Sequence, residues 1–336
     1  MKSRSIAAVV AGFGVLAVAV SACGIGELSG PARHPARPAR QVVAGYIDGR
    51  TRTAKAQLIQ QLRRPPKLVI FGGSRAMRFN PASIRRRTGL TGFNAAVTHA
   101  RPEDTWALLN LLHSRFPHAR FRFLWVIHCD EFIRRPIDAA ILLNPALARY
   151  FPPALVKAQL PAALARARGQ VATVQVDIPR RGRLEYAPDG YVVRGFFSNA
   201  TPPPHGHPVA IAVNIAKELH IYATDPVAPY PQSVRYFGKD LRLMASLSSG
   251  RPVVVAAPFD RRIYAATVHH GWGARHRRLL ALVARLRVTS RFAFLDLSRA
   301  TAHGFVASDF YDGIHLTPRG ARRVVGLVLR RFPRAW

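Results

Sequence analysis

The sequence predicts an α/β protein whose sheet is mainly parallel. Short apolar runs, each typical of a buried strand, alternate with helical stretches along the chain. These runs are apolar throughout, as expected when helices cover both faces of a sheet. A long segment between the third and fourth runs breaks the alternation, so the sequence also predicts a large insertion at that point.

Five strands are expected, and each is bounded by turn-forming or polar residues. In chain order they are Lys67–Gly73, Gly92–Val97, Phe121–His128, Pro252–Pro258 and Phe292–Ser298. A helix should begin after Pro102, because Glu103 and Asp104 suit the positive end of the helix dipole. An Arg-rich helix reaching about Arg287 should follow the fourth strand, and Pro318 should open the closing helix.

The insertion, about residues 131–230, is expected to lie over an edge of the sheet and to be part of the same domain. It contains helical stretches near 139–168 and a hairpin pattern with Asp189-Gly190 at the turn. The region 24–62 combines a Pro-, Arg- and Ala-rich spacer with a weak helical pattern. Residues 63–336 are therefore predicted to form the main domain.

The first 23 residues have the pattern of an export signal. Lys2 and Arg4 precede an uncharged, mostly apolar run, and Ser21-Ala22-Cys23 follows it. The ending VSAC resembles the lipobox of bacterial lipoproteins, which makes Cys23 a candidate for lipidation. Ordinary secretory cleavage or an uncleaved anchor are the alternatives. All three predict an extracytoplasmic protein, secreted or held at the membrane surface by a lipid or an anchor.

The chain is strongly basic, with 50 Lys and Arg against 17 Asp and Glu and a formal net charge of +33. Six of the basic residues are lysine and 44 are arginine, spread along the whole chain. Zinc-finger spacing, an RNP-like aromatic run and a basic heptad region are all missing from the sequence, so no nucleic-acid partner is predicted. The positive surface would instead attract anionic headgroups or envelope polymers.

Two short segments carry residues suited to nucleophilic catalysis. Ser74 directly follows the first strand, and Asp312 stands three residues before His315, shortly ahead of the last helix. Functional groups gather at the carboxyl ends of parallel strands. Both loops are expected to follow strands at or near the centre of the sheet, so the sequence predicts that they meet at one edge.

These segments resemble the blocks of the SGNH (GDSL-like) hydrolase superfamily. Gly73-Ser74 matches the first block, Asp312-Gly-Ile-His315 matches the last, and the segment from Gly92 to Asp104 looks like the second. Within the superfamily the chain is most similar to the cell-envelope acyl-transfer branch of the DltD and AlgJ/AlgX type. The resemblance implies a flavodoxin-like three-layer α/β/α fold and a Ser-His-Asp site that needs no cofactor or metal.

In this interpretation His315 is the base that activates Ser74, and Asp312 orients and stabilises the imidazole. The resemblance also implies an oxyanion hole, for which Asn94, His99 and His128 are candidates. The glycine expected after Asn94 falls at or near His99. The asparagine of the third block is missing from the text WVIHCDEF, where His128 or the backbone near Cys129 would have to replace it.

The leading hypothesis is therefore a serine esterase or O-acyltransferase acting on an acylated envelope glycan or a small ester. The first alternative is a non-catalytic envelope protein that binds an anionic polymer through its basic surface. The second is a metal-dependent phosphoesterase in which Asp312 and His315 are ligands. The histidine pairs elsewhere lack a third ligand at metal spacing in the sequence.

Overall fold

A computed structural model describes residues 51–177, 185–194 and 208–336 of the chain. The central sheet is formed by β1 (Leu68–Gly72), β2 (Gly92–Asn94), β3 (Arg122–Ile127), β6 (Val253–Ala256) and β7 (Ala293–Asp296). Its strands are all parallel and lie in the order β2-β1-β3-β6-β7. All five predicted strands are confirmed, each slightly shorter than the sequence pattern suggested.

Helices precede, follow and separate these strands. They are α1 (Thr51–Gln61), α2 (Pro81–Thr88), α3 (Pro102–Arg115), α4 (Ala139–Leu142), α5 (Pro145–Ala148), α6 (Pro153–Asp177), α7 (Pro208–Thr224), α8 (Pro231–Leu247), α9 (Arg261–Thr267), α10 (Gly273–Thr289) and α11 (Pro318–Arg331). Pro318 stands in the first turn of α11, and Thr317 caps the helix by accepting from the Gly320 N–H.

Two apolar cores lie on opposite faces of the sheet. Alternate residues of β1 divide between them, with Val69 in the core that includes α3 and α8, and Ile70 in the core that includes α2 and α11. β3 divides in the same way. The described part of the chain is therefore a three-layer α/β fold with a parallel sheet, as the sequence predicted.

The expected Arg-rich helix follows β6 and ends near Arg287 as α10, but a shorter helix, α9, precedes it. α9 and α10 are separated at residues 268–272, where His270 and Gly271 have non-helical backbone angles. Gly271 has φ +100°, a conformation that favours glycine, so the helix breaks there and resumes at Gly273.

The insertion between β3 and β6 is largely helical where it is described, and it contains the expected hairpin. β4 (Glu185–Tyr186) and β5 (Val192–Arg194) pair antiparallel. The Asp189 carbonyl accepts from the Asn94 N–H at 2.8 Å, which attaches the turn to β2, the edge strand. Gly190 has φ +76°, and a Cβ there would lie 2.3 Å from the Asn94 carbonyl oxygen. The turn therefore needs glycine for both conformation and space.

Lys55 of α1 joins the hairpin to the sheet. The side chain is fully buried, and its Nζ donates to the carbonyl oxygens of Asn94 and Gly190. Burial lowers the pKa of Lys55 to about 7, although the Asp189 charge opposes this effect. The folded protein thus holds this proton less tightly than the unfolded chain, whose lysine titrates near 10.5.

We expect the Lys55→Met variant to lose part of the pH dependence of stability. Between about pH 7 and pH 10.5 the unfolded wild type binds more protons at Lys55 than the folded state does. The free energy of unfolding should therefore rise with pH in this range, and the variant should show a smaller rise. Urea denaturation at several pH values measures the slope. Lys67→Met, at an exposed lysine, is the control, and an equal change in both variants would contradict the assignment.

Candidate active site

Ser74 lies at the carboxyl end of β1, where the backbone turns sharply. Gly72 has φ +138°, and a Cβ at this position would lie 2.3 Å from the Val126 carbonyl oxygen of β3. Only glycine lets the chain leave the sheet here. Ser74 then begins a 3₁₀ turn that ends at Ala76, and its side chain is half-buried. The strand end therefore presents the hydroxyl at the rim of the sheet.

The Asp312–His315 loop is built as a tight, self-bonded turn. The Asp312 Oδ1 accepts from the backbone N–H groups of Ile314 at 3.1 Å and His315 at 2.8 Å. The Tyr311 N–H donates to the His315 carbonyl, and the Asp260 N–H donates to the Gly313 carbonyl, both at 2.9 Å. These bonds hold the acid and the imidazole in one relative orientation.

The two loops meet. The His315 Nδ1 lies 2.7 Å from the Asp312 Oδ2, and its Nε2 lies 2.9 Å from the Ser74 Oγ. An ionised carboxylate only accepts, so Nδ1 carries the proton and Nε2 is the acceptor for the Ser74 hydroxyl. The arrangement is a continuous acid–imidazole–alcohol chain between residues 241 positions apart.

The electrostatics of Asp312 suit this role. Burial raises the pKa of the carboxyl, but the neighbouring His315 imidazole and the backbone N–H donors outweigh burial and bring it well below its ordinary value. Asp312 is therefore ionised at neutral pH and stabilises a positive charge on the imidazole.

One positional expectation is wrong. β1 is an inner strand, but β7 is an edge strand, at the opposite side of the sheet from β2 and three strands away from β1. At about 4.8 Å per strand, the segment after β7 must return about 14 Å across the carboxyl ends. The hydrogen bond from Asp260, which lies after β6, to Gly313 is one of the contacts that hold this return. The segment of residues 297–317 is long enough for the chain to cross the carboxyl ends of the strands.

Asn94 holds the serine loop instead of facing the rim. Its side-chain Nδ2 donates to the carbonyl oxygens of Ala76 at 3.0 Å and Phe79 at 2.9 Å, and its Oδ1 accepts from the Ala96 N–H. The residue is fully buried. Both amide hydrogens are therefore used within the protein, and Asn94 positions the backbone that follows Ser74.

His99, at or near the position where the sequence analysis expected a glycine, has the backbone conformation that a glycine would favour. Its φ is +47°, and its side chain is exposed. The next backbone nitrogen, Ala100 N, is 3.8 Å from the position that a Cβ on Gly73 would occupy. Within the described residues, the N–H groups of Ser74 and Ala100 make no hydrogen bond. These two backbone donors are the best candidates for an oxyanion hole.

His128 lies in a buried hydrogen-bond network with Trp272 and Asp130. Its Nε2 accepts from the Trp272 indole N–H at 3.1 Å, so the proton is on Nδ1, which lies 2.8 Å from the Asp130 Oδ2. Burial, aided by the Arg75 charge, lowers the pKa of His128 to about 4. The neutral ring uses both nitrogens inside the protein and offers no free N–H to a substrate.

The same contacts argue against a metal at this point. His128, Cys129 and Asp130 have their possible ligand atoms within 4.8 Å of one another. However, both ring nitrogens of His128 are bonded, and burial raises the pKa of the Cys129 thiol well above its ordinary value. An imidazole whose lone pair already accepts a hydrogen bond is a poor metal ligand. These residues do not fit a metal centre.

The sequence interpretation missed a buried charged cluster next to Ser74. The Arg75 guanidinium lies 3.7 Å from the Asp130 Oδ2, 3.9 Å from the Glu218 Oε1 and 4.3 Å from the centre of the Phe259 ring. Burial, with the Asp130 charge, raises the pKa of Glu218 to about 7. The Tyr222 hydroxyl donates to Glu218 at 2.6 Å. No local signal marks Glu218, because it belongs to the insertion and lies far from Arg75 in the sequence.

The insertion helix α7 contacts the site at a second point. Asn214, one turn before Glu218, donates from Nδ2 to the Asp312 carbonyl at 2.9 Å. Residues four apart lie on the same helix face. α7 therefore touches both the loop that carries the acid and the residue that follows the serine.

Asn214→Ala is expected to lower the rate of the proposed reaction about 2- to 10-fold. One hydrogen bond contributes about 0.5 to 1.5 kcal/mol, and this one supports the orientation of the Asp312 loop. The measurement is kcat and KM on a chromogenic ester. Val213→Ala, at an exposed neighbour on the same helix, is the control. Equal kcat values in both variants would show that the contact does not position the acid.

A second group of Ser, His and Asp has a different geometry. The His276 Nε2 lies 2.9 Å from the Asp296 Oδ2 and 3.2 Å from the Ser298 Oγ. Acid and alcohol therefore compete for one nitrogen, so the imidazole cannot relay a proton between them. Ser298 is also buried. Variants of this group therefore serve as controls for variants of the Ser74 site.

Comparison with known protein families finds no family that matches this chain. A comparison with curated proteins also finds no match.

The described residues contain no helix that is long and apolar enough to span a membrane. Cys23 and the predicted export signal, residues 1–23, lie outside the described residues.

Proposed function

We propose that this protein is a serine esterase or O-acyltransferase that uses Ser74, His315 and Asp312. The observation that carries the proposal is the chain of 2.7 Å and 2.9 Å contacts that joins the three side chains. The order of these residues and their place after parallel strands also support the resemblance to SGNH hydrolases. The predicted export signal indicates an extracytoplasmic location. We therefore propose an ester of the cell envelope as the substrate.

In the proposed reaction the Ser74 Oγ attacks the ester carbonyl carbon while its proton moves to the His315 Nε2. Negative charge develops on the carbonyl oxygen, where the Ser74 and Ala100 N–H groups are the candidate donors. The tetrahedral intermediate then expels the alcohol, which takes the proton from His315 and leaves an acyl-Ser74 ester. Water, or a hydroxyl of an acceptor, gives a proton to His315 and attacks that ester. The second tetrahedral intermediate expels the Ser74 Oγ, which takes the proton back from His315, and the acid or the new ester is released.

The two alternatives from the sequence have less support in this geometry. A protein that only binds an anionic polymer has no need for an aligned Ser-His-Asp chain. In a metal-dependent phosphoesterase Asp312 and His315 would face a shared ion. Here Asp312 bonds to the His315 Nδ1, and the His315 Nε2 bonds to Ser74. The serine mechanism therefore remains the proposal.

Labelling with a fluorophosphonate probe tests the proposal, because the probe reacts with an activated serine hydroxyl. We expect one adduct per molecule, located on Ser74 by peptide mass spectrometry, with Ser298 unmodified. Heat-unfolded protein should not be labelled. Labelling of Ser298 instead of Ser74, or no labelling of folded protein, would refute activated serine chemistry at this site.

A further inference from the structure

A basic groove lies between helices α2 and α11, and the proposed ester chemistry does not account for it. The groove is open to solvent, and the empty space in and above it is about 450 Å³. Four of the residues that line it are arginines: Arg78, Arg86, Arg87 and Arg322. Apolar side chains that include Phe79, Ile84 and Val325 also contribute to the lining. We call this feature the α2–α11 groove.

The α2–α11 groove is lined by basic and uncharged residues. No acidic residue lines it, and neither α2 nor α11 contains one. The arginines of α11 divide into two sets. Arg319 and Arg323 pair with Asp309 at 3.2 Å and 3.1 Å, whereas Arg322, which lies between them, lines the groove. Within the described residues, Arg86, Arg87 and Arg322 have no carboxylate partner.

One of these arginines is held across the gap between the helices. The Arg87 Nη1 donates to the Arg322 carbonyl oxygen at 3.1 Å. A Cβ at Gly326 of α11 would lie 3.6 Å from both Nη1 and Nη2 of Arg87, which is van der Waals distance, so the guanidinium packs directly against α11. A guanidinium that is already placed loses less conformational entropy when it binds an anion.

We propose that the α2–α11 groove binds phosphate groups. Guanidinium groups bind phosphate oxygens through paired, charge-assisted hydrogen bonds. A phosphate offers more negative charge and more acceptor oxygens than a carboxylate, so several arginines can share one group. Phosphodiesters of a soluble polymer and the headgroups of anionic phospholipids present this same chemistry.

The groove begins close to the candidate active site. The Arg78 guanidinium lies 5.2 Å from the centre of the ring of Tyr311, the residue before Asp312. Pro318, at the start of α11 and three residues after His315, also lines the groove. A phosphate-bearing molecule in the groove would therefore lie beside the rim that carries Ser74. Binding itself does not depend on the proposed ester chemistry.

A pair of matched double variants tests the site. Arg86→Ser with Arg87→Ser removes two groove arginines. Arg277→Ser with Arg278→Ser removes two adjacent, exposed arginines of α10 and changes the net charge equally. Binding is measured with fluorescently labelled inorganic polyphosphate, and with phosphatidylcholine vesicles with and without phosphatidylglycerol. Arg322→Ser is a further groove variant that leaves the carbonyl bonded by Arg87 in place.

The groove double variant should bind at least one of the two probes about tenfold more weakly than wild type. The α10 variant should stay within about twofold of wild type, and Arg322→Ser should weaken the same binding. Loss with polyphosphate only indicates a soluble phosphate polymer, and loss with anionic vesicles only indicates a lipid headgroup. Equal weakening by the groove and α10 variants would show that only net charge matters. That result, or no binding of either probe by the wild type, would overturn the proposal.

Discussion

Asp312→Asn is expected to lower kcat for ester turnover by about 10⁴-fold while the loop keeps its shape. An asparagine can keep the Oδ1 that accepts from the Ile314 and His315 N–H groups. Its amide N–H, however, would face the His315 Nδ1, where the carboxylate now accepts at 2.7 Å. The imidazole then carries its proton on Nε2, so it cannot accept the proton of Ser74.

The measurement is a steady-state assay on a chromogenic ester, together with fluorophosphonate labelling of Ser74. We expect labelling to slow in parallel with kcat, because both reactions need the same base. Asp296→Asn provides the matched control, since Asp296 makes a similar contact to His276. If Asp296→Asn reduced turnover as strongly as Asp312→Asn, the Ser74 site would not be the reacting centre.

Ser74→Ala and His315→Ala should each reduce turnover by about 10² to 10⁴-fold or more, and the double variant should be no slower than the slower single variant. The two side chains act in one step, since the His315 Nε2 takes the proton of the attacking Ser74 Oγ. When one of them is removed, the other has no remaining role. The comparison of three rate constants therefore reports whether the residues act as a unit.

Thermal unfolding of the three variants is the control for folding. Ser74 and His315 are both only partly buried, so we expect the variants to remain folded. Ser298→Ala is the matched serine variant and should keep full turnover. Additive losses in the double variant would show that Ser74 and His315 act in separate steps, contrary to the mechanism proposed above.

The strands could be predicted because each is a short, local pattern. An apolar run such as the one around Leu68–Gly72, ended by glycine, needs no distant partner to be recognised. The hairpin turn at Gly190 and the start of α11 at Pro318 are local signals in the same sense. The break in the helix after β6 was missed, because a glycine inside a helical pattern does not by itself predict where the helix ends.

Much of the candidate site could not be predicted in this way. No local sequence pattern indicates that the Asn94 amide donates to the Ala76 and Phe79 carbonyls. Nor does one indicate that the Trp272 indole N–H donates to the His128 Nε2. The contacts of Arg75 with Glu218, and of Asn214 with Asp312, depend on how the insertion packs. Those contacts join segments that are far apart in the chain, and no repeating pattern in the sequence links one segment to the other.

The sequence by itself determined the three side chains that the proposal uses, and it determined the parallel strands whose carboxyl ends carry them. Only the tertiary structure decided that β7 is an edge strand and that its loop returns across the sheet to bring the His315 Nε2 within 2.9 Å of the Ser74 Oγ. The reason is physical: hydrophobic periodicity reports which faces of an element are buried, whereas strand order depends on how whole elements pack.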